Sequence, residues 1–134
     1  SLAVLAAARK MEKADIGYFV TVILGLGGRT YRNIHALETA RVLSQMNPKG
    51  IWCLNLKVWE NTPLEQMAKQ GEFDPMTPWE MLQEEWIMLN NLNVKNCFYM
   101  DTTALNKYTV QGILPQAKPA MLEGIRQLLE QERP

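Results

Sequence analysis

The sequence is poor in the residues that most often carry chemistry, with one histidine, His35, and two cysteines, Cys53 and Cys97, in 134 residues. There is no C-x-x-C pair and no metal-ligand spacing, so a metal site of the chain's own is not expected. Two distant cysteines read as free thiols of a reducing cytoplasm. Fourteen basic residues balance fourteen acidic ones and no basic run stands out. The electrostatic footprint of a nucleic-acid binder is therefore missing. The longest apolar stretch, Ile16 to Leu26, contains Gly17 and is too short to cross a bilayer. Without a signal-peptide pattern either, neither membrane nor export is expected. Repeats and low-complexity segments are also lacking, and Ser1-Leu2 reads as a cloning remnant.

What is present suits a packed α/β domain. Apolar residues make up 47% of the chain, enough for one core over residues 1–134. Residues 3–14 are alanine-rich, with Val4, Ala7, Ala8 and Met11 spaced for one helical face. Tyr18 to Leu24 is a continuous apolar and β-branched run, as in strands covered on both faces. Thr30 is placed to cap a following helix with Ile34, Leu37, Val42, Leu43 and Met46 on its buried side, and Asn47-Pro48-Lys49-Gly50 stops it. A strand over Ile51 to Val58 follows, then a short helix over Leu64 to Lys69.

Thr77-Pro78-Trp79-Glu80 is a strong helix start, with a capping hydroxyl, Pro at the first position and Glu in the capping-box place. The helix to about Leu92 should bury Trp79, Leu82, Trp86 and Leu89, with no polar anchor among them. Asn96 to Met100 reads as a third strand, and Met121, Leu122, Ile125, Leu128 and Leu129 mark a final helix. Strands separated by helices at this spacing predict parallel pairing.

The stretch Gly25-Leu26-Gly27-Gly28 after the first strand invites a ligand reading. A dinucleotide fingerprint would need a third glycine where Thr30 stands, and a phosphate-binding P-loop would need a Gly-Lys-Ser/Thr ending. Neither is met. The turn alone is explained by tight geometry and close strand-to-helix approach. A binding module holding an anion on this loop and the helix N-terminus is one alternative, and a scaffold without ligand another.

A wider pattern is carried by three segments in order. "VILGLGG", then "LNLKVWENTPL" at the end of the next strand, then "GILPQAKPAMLEGIRQLLE" together resemble the later part of the radical S-adenosylmethionine superfamily. Oxygen-independent coproporphyrinogen oxidase and biotin synthase belong to it, and the resemblance covers most of the chain. In that family a G-x-I-x-G-x-x-E strand end forms part of the adenine pocket. Here Ile23 and Gly25 match, while Thr21 and Gly28 stand at the first glycine and the acidic position. Asn61-Thr62-Pro63-Leu64 is similar to the family's P-G-T-P-L turn, Asn tolerating the left-handed conformation in place of Gly.

The resemblance implies an α/β fold that is part of a (β/α) TIM-like barrel: about three parallel strands, crossover helices and a C-terminal helix. It implies that Ile23, Gly25, Leu26, Gly27 and Gly28 line a cofactor pocket for S-adenosylmethionine. The intact enzyme would hold a four-iron, four-sulfur cluster on a C-x3-C-x2-C loop and cleave the cofactor reductively to a 5′-deoxyadenosyl radical. This chain has no such loop. The implied role is a C-terminal portion inactive alone, with no cofactor expected on it and the N-terminal half of the barrel as partner. A cut barrel would also expose sheet edges, predicting homo-oligomers.

Substrate contacts in such a barrel come from the C-terminal ends of strands. Asn55 and Lys57 alternate with Leu54, Leu56 and Val58, giving one polar strand face, and Asp101 follows the third strand. Against these stand plainer readings: a solvated face, and a turn at Asp101-Thr102-Thr103. Glu38 and Arg41 read as a local ion pair, and His35 as a surface or capping residue.

Overall fold

The computed structural model describes residues 2–134; Ser1 lies outside the described residues. The alanine-rich segment forms α1 (Leu2–Lys13), burying Leu5 and Ala8. Val4 and Ala7, expected inside, are exposed, so the helix is rotated from the expected face. Strand β1 (Phe19–Leu24) leads through the glycine turn into α2 (Gly28–Leu43). Thr30 does not cap this helix: Gly27 occupies the N-cap and no side chain bonds there.

The buried stripe of α2 is Ala36, Ala40 and Leu43, while Ile34 and Leu37 face outward. Small side chains let α2 lie close against α4 (Pro78–Asn91), and close packing outweighs the count of larger apolar residues. Strand β2 (Gly50–Asn55) is shorter than the apolar run to Val58 suggests, though the Leu56 amide still bonds the Leu24 carbonyl at 2.9 Å. Helix α3 (Pro63–Lys69) is capped by Thr62, and Asn61 takes the left-handed conformation, φ 60°, that its turn requires. The capping box of α4 forms as its sequence predicts, with Thr77 Oγ1 accepting from the Glu80 amide and Glu80 Oε2 from the Thr77 amide.

Strand β3 (Cys97–Met100) is followed by a loop, by β4 (Gln111–Leu114), and by α5 (Lys118–Gln131). The sheet is open, in the order β1-β2-β3-β4. β1, β2 and β3 run parallel and β4 antiparallel to β3. This corrects the expectation of about three parallel strands. The fourth is a four-residue hairpin return that fills what reads as loop before Pro115.

Register divides the sheet cleanly. Val22 and Leu24, Ile51, Cys53 and Asn55, Cys97 and Tyr99, and Leu114 face the layer of α2, α4 and α5 and are buried. On the other face Phe19, Ile23, Trp52 and Ile113 are exposed. No element covers that face, and β1 has no partner along its outer edge among the described residues.

Candidate functional site

The C-terminal ends of the three parallel strands lie together, and with them the glycine turn, Asn55 and Asp101. Gly25 has φ +86° and Gly28 φ +62°, conformations that favour glycine. A Cβ at Gly25 would press on Met81 Sδ at 3.1 Å, and one at Gly28 on the Asp74 carbonyl oxygen at 2.9 Å. The turn is thus clamped between α4 and the segment before it.

Its amides are largely engaged. The Gly25 amide donates to Glu84 Oε2 at 2.6 Å, the Gly28 amide to the Gly25 carbonyl at 3.0 Å, and the Arg29 amide to the Asp74 carbonyl at 3.0 Å. Glu84 is fully buried and also receives His35 Nδ1 at its other oxygen. His35 is therefore not the surface residue its position suggests. It is half-buried, oriented by a carboxylate, and lines a groove of about 500 Å³ beside β1 together with Thr21, Ile23, Leu26 and Val42. Arg29, the nearest cation, is tied to Asp74 at 2.6 Å and Glu80 at 2.8 Å.

Of the other expected residues, Ile23 and Leu26 present exposed apolar side chains, 39% and 53%, at the end of β1. Asn55 does not stand on a polar strand face with Lys57. It lies on the helix-covered face, where it borders a cavity of about 300 Å³ with Lys57, Met76, Met81 and Leu105. Lys57 lies beyond the strand, its Nζ 4.0 Å from the Trp59 ring centre. The Asn106 side chain ties the loop after β3 to this corner, accepting from the Asn55 amide at 2.8 Å and donating to the Cys53 carbonyl at 3.2 Å.

Asp101 is fully buried. One of its oxygens takes the Val110 amide, closing the base of the 101–110 loop, and the other, Oδ2, has no hydrogen-bond partner. Tyr99 donates its hydroxyl to Glu85 Oε1 at 2.7 Å. Burial, then the neighbouring Asp101, pushes the Glu85 carboxyl well above its ordinary range. Burial likewise raises Asp101, and the Cys53 thiol is driven up chiefly by burial.

Glu84 and Glu85 are thus polar anchors inside a helix face that reads as apolar only. Adjacent acids on a helix ordinarily signal a solvated side, and no local pattern marks their distant partners. Trp79 and Trp86, expected in the core, are only half-buried, Trp79 Nε1 donating to the Leu129 carbonyl at 3.0 Å.

Among the described residues no three His, Cys, Asp or Glu side chains gather as metal ligands. Cys53 and Cys97 are buried in neighbouring strands. The residues present do not fit an iron–sulfur cluster. Among the described residues no helix is long and apolar enough to cross a membrane. Comparison with protein-family profiles, with curated proteins and with solved structures returns no match.

Proposed function

We propose that this chain is the C-terminal portion of a cytoplasmic radical S-adenosylmethionine enzyme, supplying one wall of a partial TIM-like barrel and part of the adenine pocket. The observation that carries the reading is one-sided cover. Strands β1, β2 and β3 follow sequential order, their helices lie on one face, and the other face is bare and apolar. A barrel wall is built this way, with helices outside and strand side chains facing a lumen. In a doubly wound sheet the strand order would reverse and helices would cover both faces. The unpaired edge of β1, flanked by a groove, is where a preceding parallel strand would join.

Ile23 and Leu26 are suited to the apolar wall of a purine site. S-adenosylmethionine, when bound, supplies the adenosyl group that carries this superfamily's radical chemistry. Since this chain's residues do not fit the cluster, no catalytic step is assigned to them. An anion at the glycine turn has less support: Glu84 occupies the Gly25 amide, and Asp74, Glu80 and Glu84 make the surroundings acidic.

The test is the natural coding region ahead of residue 1. It should encode C-x3-C-x2-C, and the whole protein, reconstituted anaerobically with iron and sulfide, should release 5′-deoxyadenosine from S-adenosylmethionine. An upstream region without that cysteine loop would end the reading.

A further inference from the structure

We propose that Glu85 and Asp101 share one proton, and that this proton latches the 101–110 loop over the ends of β2 and β3. The inference is independent of the enzyme reading. Glu85 projects from α4 and Asp101 from the end of β3, both buried, and Glu85 is held at 2.7 Å by Tyr99, which stands two residues before Asp101 on the same side of the sheet. Asp101 Oδ2 is a buried acceptor with no donor if both groups are ionised. A proton on Glu85 supplies that donor, while Oε1 still accepts from Tyr99.

No cation is bonded to either carboxyl: Lys57, on the cavity wall, lies over the Trp59 ring, and Lys107, on the loop, reaches Glu132 at 3.5 Å. The titratable groups around the pair are Glu84 on α4, Cys53 on β2 and Tyr99 on β3, all acidic or neutral. From the packed helices, His35 of α2 is engaged by Glu84, Arg32 by Gln83 at 3.0 Å, and Lys118 of α5 by the Leu92 carbonyl at 2.8 Å. Two unpaired carboxylates side by side in this core would suffer both desolvation and repulsion.

Asp101 is the side of the pair that can escape. It begins the loop, and its bond to the Val110 amide holds the loop's two ends together. Leu105, on the same loop, walls the 300 Å³ cavity at the strand ends. Losing the shared proton therefore favours hydrating Asp101, releasing the Val110 amide and opening that cavity. A carboxyl whose folded pKa is raised stabilises the folded form at low pH and loses that contribution as pH rises through the folded value. The loop is closed on the acid side and opens toward alkaline pH.

The test is a pH titration of the side-chain carboxyl carbons of Glu85 and Asp101 by NMR, with Val110 amide exchange followed in parallel and corrected for intrinsic base catalysis. The expected result is one linked transition, above the ordinary carboxylate range, in which both carboxyls, the Val110 amide and the Leu105 methyls change together. Independent titrations in the ordinary range, or a Val110 amide that stays protected through the Glu85 transition, would overturn the proposal. Glu85→Gln supplies a permanent N–H donor to Asp101 and should abolish the pH response with the loop closed. A folded variant that kept the response would also refute the latch. If that variant fails to fold, the wild-type titration still decides.

Discussion

Glu84 accepts the amide hydrogen of Gly25 at 2.6 Å, although the two lie 59 residues apart. The bond spans from the middle of α4 to the turn that ends β1, and the same carboxylate holds His35. Glu84→Ala would leave a buried amide without an acceptor and an imidazole without its partner. The expected cost is about 2–3 kcal/mol in urea denaturation, with Glu84→Gln, which keeps an acceptor for Gly25, losing less.

Alanine at the two left-handed glycines should rank in a definite order. Both incur the strain of positive φ, about 1–2 kcal/mol. At Gly25 the new methyl meets the flexible Met81 side chain, whereas at Gly28 it meets the Asp74 backbone carbonyl. Gly28→Ala should therefore show the lower melting temperature, and equal melting temperatures would contradict the backbone clamp.

The cap of α4 is expected to act locally. Thr77→Ala removes the acceptor for the Glu80 amide, at a cost of about 1 kcal/mol. Hydrogen exchange should rise in the first turn of α4 and leave β2 unchanged.

The bare sheet face predicts association. Phe19, Ile23, Trp52 and Ile113 form exposed apolar surface next to an open edge. The isolated chain should sediment as more than a monomer at high concentration. Trp52→Lys, at a position 41% exposed, should restore the monomer with little change in unfolding midpoint.

Local signals in the sequence translated directly into structure. The capping box at Thr77 and Glu80 and the left-handed Asn61 depend on neighbours a few residues away, and both form. The face of α2 was not legible, because Ala36 and Ala40 are chosen by how closely another helix must approach. β4 escaped notice because Gln111-Gly112-Ile113-Leu114 is too short for an alternating pattern, and its pairing with β3 supplies the order that the segment itself lacks. At the candidate site, Asn55 and Asp101 were visible as polar residues at strand ends. Their placement under the helices was not, because strand period fixes alternation and not which face is covered. Glu84, Glu85 and His35 owe their roles to partners on other elements.

The sheet's two borders are unlike. At one side β4 is only four residues long and stops at Pro115, which has no amide hydrogen to offer a neighbour. At the other, six residues of β1 stand ready to pair. Growth by strand addition is thus better served at β1. Two copies meeting there by a twofold axis would consume both open borders at once, so strand pairing along β1 closes at a pair.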